Sequence, residues 1–335
     1  MNITILGAGA WGTAMAIALG ARHDVLLWSR FEEEISPMVD ARENLAFLPG
    51  FKLPTMLRLS FDLNEAVAHV AANNASPGLL IMATPVAGLR PTAQQLKDKS
   101  IPNLVWLCKG FEESTGRLPH QVIAEVLGDK IPVGVLSGPS FAQEVAAGMP
   151  CALTIASKST ALCQLTVSAV HSGNIRVYSS DDVVGVEVGG AVKNILAIAA
   201  GVADGLELGL NARAALLTRG LAEITRLGLA LGGRMETFMG LTGVGDLILT
   251  CTGNLSRNRS VGLELAKGKK LDVIVKELGH VAEGVLCARA VCALASKLGI
   301  DMPISNAVAN VLFNGETPRD MVIKLMARNN KEEAA

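Results

Sequence analysis

Aromatic side chains are scarce: one tyrosine, three tryptophans and eight phenylalanines in 335 residues. Bases of a single-stranded nucleic acid stack on such rings, so their scarcity argues against a nucleic-acid groove. Neither sign of charge is in excess. A formal net charge of −1 gives no general attraction for nucleic acid or an anionic membrane surface. None of the six cysteines (Cys108, Cys151, Cys163, Cys251, Cys287 and Cys292) stands in a CxxC pair. A chain of this length buries enough surface to fold without disulfide staples, so free thiols in a reducing, cytoplasmic compartment are expected. The five histidines show no ligand spacing, so no metal site is expected. The start, "MNITILGAGAWG", has no basic segment before a long apolar stretch and reads as a strand entering a turn, not as a secretory signal.

One apolar run, residues 183–203, approaches membrane-spanning length. It carries Glu187, Lys193 and Asn194, and a charge at a bilayer centre costs about 2.5–3.5 kcal/mol on insertion. A buried helix of a soluble protein is the expectation, with no stable membrane insertion.

The first half alternates short β-branched runs with helix-length segments. Candidate strands are 2–6, 24–28, 78–82, 103–107, 132–136, 152–156 and 175–179, with helical segments at 12–21, 32–42, 88–97 and 117–127. Such alternation predicts βαβ units and a mostly parallel sheet. After Ser180 the strand-like runs fade and helical patterns continue to the end. The expected division is an α/β domain over 1–180 and an all-helical domain over 181–335, with "SSDD" at the boundary suited to a helix start.

"ITILGAGAWG" places G-x-G-x-x-G at Gly7, Gly9 and Gly12, directly after the first strand. Gly7 permits the tight turn, Gly9 lets backbone approach a pyrophosphate, and Gly12 lets helix and strand pack closely. The helix opening near Ala10 and Trp11 aims its free N–H groups at the phosphates. This context predicts a Rossmann-like dinucleotide site. The second strand ends "LLWSR", with Ser29 and Arg30 where an NAD site usually has an acid. Arg30 suits a 2′-phosphate, which favours NADPH, with NADH possible; the alternative is a solvated arginine paired with Glu32 or Glu33.

In "VEVGGAVKNILAIAAG" the spacing sets Gly189 and Gly190 on the face over which Lys193 leans. This predicts a shallow notch for a small ligand beside an ammonium group, against a lysine merely kept wet or paired with a carboxylate. Burial would lower the pKa of Lys193 and fit it for proton exchange with a substrate oxygen. Asn194 is expected either to orient a hydroxyl or to bond a neighbouring helix. Asp246 and Thr250 share a helical face, and Asp246, set among glycines and apolar residues, calls for a cation partner. "SRNR" opens a further helix with Ser256 as N-cap. Arg257 and Arg259 there oppose the helix dipole unless an anion binds, so a substrate phosphate is set against an exposed basic turn. Lys109 and the stretch with Gly138 and Ser140 follow strands, on the carboxyl edge that faces the crevice of such sheets.

Seven segments in order ("GAGAWGTA", "CKGFEESTGRL", "SGPSFAQEVAAGMP", "GGAVKNILAIAAG", "NARAALLTRGLAE", "GDLILTCTGNLSRNR" and "VAEG") resemble the bacterial type of NAD(P)-dependent glycerol-3-phosphate dehydrogenase. The resemblance implies reversible reduction of dihydroxyacetone phosphate to sn-glycerol 3-phosphate for phospholipid synthesis. It also implies a C-terminal domain like that of 6-phosphogluconate dehydrogenase, and a homodimer. It makes Lys193 the proton donor and acceptor, and Lys109 a contact of both cofactor and substrate. It assigns Ser140, Asp246, Ser256, Arg257 and Asn258 to the substrate, and Ala10, Trp11, Arg30, Ala142, Arg257, Val281 and Glu283 to the cofactor. The chain departs from many relatives at "ATPVAGLR", which lacks their Ser-His pair, and at Val188. A β-hydroxyacid or phosphogluconate-type dehydrogenase on the same two-domain plan and a catalytically silent NADPH-binding regulator are the rival readings.

Overall fold

A computed structural model describes residues 1–71, 77–279 and 282–328. Val281, expected among the cofactor contacts, lies outside them. The first part of the chain builds strands β1 (Asn2–Leu6), β2 (Asp24–Trp28), β3 (Glu43–Asn44), β4 (Leu48–Lys52), β5 (Arg58–Ser60), β6 (Leu79–Met82), β7 (Leu104–Trp106), β8 (Val133–Ser137), β9 (Cys151–Ala156) and β10 (Ile175–Ser180). Helices α1 (Ala10–Gly20), α2 (Glu32–Ala41), α3 (Leu63–Ala71), α4 (Val86–Leu96), α5 (Pro119–Leu127), α6 (Ala142–Ala146) and α7 (Thr160–Val170) lie between them. Eight strands form one sheet in the order β10-β9-β8-β7-β6-β1-β2-β5, and β3 pairs with β4 in a separate ribbon. Pairing is parallel throughout the large sheet except between β8 and β9. The central strands are buried from end to end, as a parallel sheet covered on both faces requires.

The seven expected strands all form, with ends shifted by at most one residue. The expectation lacked β5 and the β3–β4 ribbon. A three-residue edge strand carries too little alternation to register as a period. The order of β2, β1 and β6 puts the reversal of strand order between β1 and β6, so a crevice opens at the carboxyl ends of these two.

From Val183 onward the described residues are helical: α8 (Val183–Gly205), α9 (Gly209–Ala230), α10 (Met235–Met239), α11 (Asp246–Thr252), α12 (Arg257–Ala266), α13 (Leu271–Leu278), α14 (Glu283–Leu298), α15 (Pro303–Phe313) and α16 (Pro318–Met326). A π-helical turn, Leu241–Gly245, leads into α11. Asp182 caps α8, accepting from the Gly185 amide at 2.9 Å. With a mean hydropathy of 1.6, α8 is apolar enough to cross a membrane, but 94% of its apolar stretch is buried inside the protein. It is the hub of the helical part, packed by α9, α11, α12, α14 and α15. Small residues make the closest crossing possible. A Cβ on Gly201 would stand 2.0 Å from the Arg259 carbonyl oxygen, and one on Gly262 would stand 2.0 Å from that of Ile198. This close approach brings the start of α12 against the helix that carries Lys193.

Candidate functional site

The glycine turn lies at the reversal point. The Gly7 amide donates to the Trp28 carbonyl, and that of Ala83, just after β6, donates to Leu6, both at 2.8 Å. Gly7 has φ +121°, and a Cβ there would lie 2.9 Å from the Ala83 carbonyl group, so conformation and space both demand glycine. A Cβ on Gly12 would stand 2.0 Å from the Gly7 oxygen. Gly9 differs. It precedes α1 with extended backbone, and an added Cβ would meet nothing within 4 Å. The first amides of α1, from Ala10, Trp11 and Gly12, have no carbonyl partner inside the helix. Open space, free N–H groups and the positive end of the dipole make a cradle that fits a pyrophosphate. Ala142 opens α6, which packs against α1. Arg30 is exposed past the end of β2, with its guanidinium 4.4 Å from the centroid of the Phe31 ring.

The chemically distinctive cluster lies where the sheet meets α8. Lys193 is 5% exposed and Asp246 is 1% exposed, so neither charge is kept by water. The Lys193 ammonium donates to Asp246 Oδ1 and, at 2.8 Å, to Thr250 Oγ1. Lys109, beyond the end of β7, donates to Asp246 Oδ2 at 2.7 Å and to the Gly138 carbonyl at 3.1 Å. One carboxylate thus holds two ammonium groups. Burial lowers the Lys193 pKa to about 8; the pull of Asp246 opposes the drop and the charge of Lys109 adds to it. Burial works against the Asp246 charge as well, but the two lysines outweigh it and hold the carboxyl below its ordinary value.

The notch expected at Gly189 and Gly190 is filled by protein. A Cβ on Gly189 would stand 2.4 Å from the Thr242 carbonyl oxygen, in the π-helical turn, and one on Gly190 would stand 3.3 Å from Lys109 Cγ. The missing side chains make room for the two segments that bring Asp246 and Lys109 to Lys193. Helical spacing showed the bare face correctly; what covers it is set by chain more than fifty residues away in either direction.

Beside this cluster, Asn258 Nδ2 donates to Asn194 Oδ1 at 3.0 Å, and Asn194 Nδ2 reaches Glu283 at 3.5 Å. Asn194 thus makes the bond to a neighbouring helix that was one of its two expected roles. Burial pushes the Glu283 carboxyl above its usual range, against the charge of Arg257. Ser256 caps α12, its Oγ accepting from the Arg259 amide at 3.3 Å. The two arginines of "SRNR" divide. Arg259 is bound by Asp204, Nε to Oδ2 at 2.8 Å, which removes it from the anion argument. Arg257 is exposed and has no hydrogen-bonded or ion-paired partner among the described residues. Ser140 Oγ donates to the Gly138 carbonyl at 3.1 Å, on the same edge as Lys109.

Two further groups escaped the sequence reading. Glu187, buried on α8, accepts from Trp106 Nε1 at 3.0 Å and from the His120 amide at 2.9 Å, and its other oxygen meets the His120 ring. All three partners come from the sheet half, so this carboxylate latches α8 to β7 and α5. Glu112 takes Arg90 in a two-pronged contact at 2.7 and 2.9 Å, pinning the loop that begins at Lys109. Both groups are ordinary charged residues in sequence, and only their distant partners distinguish them. Among the described residues no group of histidine, cysteine and acidic side chains is arranged to hold a metal.

A family model described as the N-terminus of NAD-dependent glycerol-3-phosphate dehydrogenase matches residues 2–163, and its C-terminal counterpart matches 182–323. The chain is 65% identical over 335 residues to glycerol-3-phosphate dehydrogenase (NAD(P)+) of Herminiimonas arsenicoxydans, covering 100% of both chains. It is 67% identical over 334 residues to the protein of the same name from Paucimonas lemoignei, covering 100% of this chain and 99% of that one. A solved structure of glycerol-3-phosphate dehydrogenase from Coxiella burnetii matches with a TM-score of 0.92 at 39% identity, covering 97% of this chain and 98% of that one. The chain is an oxidoreductase and belongs to the NAD-dependent glycerol-3-phosphate dehydrogenase family.

Proposed function

We propose that Lys193 is the proton donor and acceptor in the reversible, NAD(P)H-dependent reduction of dihydroxyacetone phosphate to sn-glycerol 3-phosphate. The observation that carries this reading is a buried ammonium held by Asp246 and Thr250, where burial lowers its pKa to about 8. An ammonium has three N–H donors, so one remains for a substrate oxygen. The dinucleotide, when bound, supplies the hydride. Lys193 gives its proton to the oxygen as negative charge grows there, a moment at which a nearby cation is worth more than in the ground state. Asp246 keeps Lys193 and Lys109 oriented, and Lys109 adds positive charge at the same oxygen.

Residues 1–180 are then the nucleotide half and 181–335 the substrate half. Gly7, Gly9, Ala10, Trp11 and Gly12 hold the pyrophosphate, and Arg30 meets a 2′-phosphate, so NADPH is the preferred donor. Ala142 and Glu283 border the cofactor. The exposed Arg257 guanidinium, with Ser256 and Asn258 at the start of α12, receives the substrate phosphate, while Gly138, Ser140 and Asn194 line the triose. Feeding phospholipid synthesis as a cytoplasmic homodimer belongs to the same reading, and light scattering in solution tests the dimer.

The pH profile tests the role of Lys193. A donor must be protonated, so kcat/KM for ketone reduction is expected to fall as pH rises through about 8. The oxidation direction needs neutral Lys193, so it falls as pH drops through the same value. Lys193→Ala should lower turnover by about 10²–10⁴-fold while dinucleotide binding persists. Normal turnover in that variant excludes the assignment.

A further inference from the structure

We infer that Glu34 is a specificity-determining residue of the cofactor site: it supplies the carboxylate that the end of β2 lacks, and so keeps NADH usable beside NADPH. The inference rests on the reading of the β1–α1 edge as the dinucleotide site. In such folds an acid at the end of the second strand accepts hydrogen bonds from the ribose hydroxyls, and an arginine there accommodates a 2′-phosphate. Here β2 runs into Ser29 and Arg30, and neither is acidic. The chain turns at Phe31 and enters α2. From the first turn of that helix Glu34 reaches back, and its Oε2 accepts a hydrogen bond from Ser29 Oγ.

Ser29 is itself fixed. It is buried, its amide donates to the Ser60 carbonyl at 3.2 Å, and its Oγ accepts from the Phe31 amide at 3.4 Å. The carboxylate is therefore tied to a rigid strand end, five residues later in sequence than the position where an acid is normally found. Two carboxylate oxygens offer about four acceptor sites, and Ser29 occupies one. Glu34 is only half-buried, so the others remain for a vicinal diol. Arg30, next to Ser29 in sequence, is exposed, and the aromatic contact with Phe31 supports its planar fork of donors. Two groups at the end of β2 thus hold opposite preferences. Arg30 attracts a 2′-phosphate, and Glu34 repels it while accepting from a free 2′-hydroxyl.

The fold contains an internal control. Ser60 Oγ donates to Glu65 Oε2 in the same way at the end of β5, one strand further out, where the chain turns into α3. If the serine–glutamate contact serves only to shape a strand–helix turn, both glutamates behave alike.

The test is the ratio of kcat/KM for NADPH to that for NADH, with dihydroxyacetone phosphate, in the full-length enzyme and in Glu34→Gln, Glu65→Gln and Arg30→Ala. Glutamine keeps the shape and an acceptor for the serine but removes the charge. Glu34→Gln is expected to raise the ratio about tenfold, equivalent to about 1.4 kcal/mol, with KM for NADH rising and KM for NADPH falling. Glu65→Gln is expected to leave the ratio unchanged, and Arg30→Ala to lower it. An unchanged ratio in Glu34→Gln, or an equal rise in Glu65→Gln, overturns the role of Glu34 and leaves the cofactor edge standing. If fluorescence titration finds that the wild-type enzyme binds neither dinucleotide, the cofactor edge itself is refuted, and the role of Glu34 falls with it.

Discussion

At Gly9 an added Cβ would meet nothing within 4 Å, whereas at Gly189 it would stand 2.4 Å from a carbonyl oxygen of its own chain. Both glycines sit in short glycine-rich motifs, and in sequence both suggest room for a ligand. In the β1–α1 turn the room is real, because the amides around Gly9 have no other partner inside the helix. In α8 the room is taken by the turn that leads into Asp246 and by the stem of Lys109. The first glycine group leaves a surface open to a ligand. The second closes a seam, and closing it is what assembles three charged residues. A glycine therefore points to a binding site only when its open face is known to stay open.

Three substitutions sharpen this contrast, in order of decreasing effect on stability. Asp246→Asn removes the charge that the closed seam exists to deliver. Breaking a buried ion pair by removing one partner costs about 3–5 kcal/mol, so a large drop in the denaturation midpoint is expected. The Lys193 pKa should fall below about 8, because the charge that stabilised its ammonium is gone, and the pH limit for ketone reduction should move down with it. A profile that stays in place would mean that the carboxylate does not tune Lys193. Gly189→Ala presses a methyl group against the Thr242 carbonyl, and overpacking of this kind costs about 1–3 kcal/mol. Turnover should fall as well, since Asp246 shifts away from Lys193. A variant of wild-type stability and activity would restore the notch that was expected at this position. Gly9→Ala changes the fold least, with a stability change within about 0.5 kcal/mol. Its methyl group intrudes on the pyrophosphate, so KM for the dinucleotide should rise while substrate KM stays constant. Unaltered dinucleotide affinity would show that the open face at Gly9 is not where the phosphates lie.

Much of the site was legible in the sequence, residue by residue. Ser256 as the N-cap of α12 followed from its place before a helical pattern. The cation partner demanded by Asp246 followed from its apolar neighbours, and the structure supplies two. What escaped was pairing. Arg257 and Arg259 looked equivalent as a basic pair, yet Asp204 takes Arg259, while Arg257 has no such partner among the described residues. Glu34 is five residues from Ser29, a separation that becomes contact only because the chain reverses at Phe31. Glu187 reads as a stray charge in an apolar helix until Trp106 and His120 arrive from the other half.

The sequence by itself determined the alternation of strands and helices before Ser180, the glycine turn after β1, the switch to helices after Ser180 and the helix start at Ser256. Each depends on interactions among residues within a turn or two of one another, and local periodicity and capping chemistry record these directly. Only the tertiary structure decided that one aspartate holds two lysines, 53 and 137 residues away, and that the glycines beside Lys193 are packed over. A charge's partner and a cavity's occupant depend on which distant segments meet. That is set by the packing of α8 against the sheet and its neighbouring helices, and no short window of sequence contains both sides of such a contact.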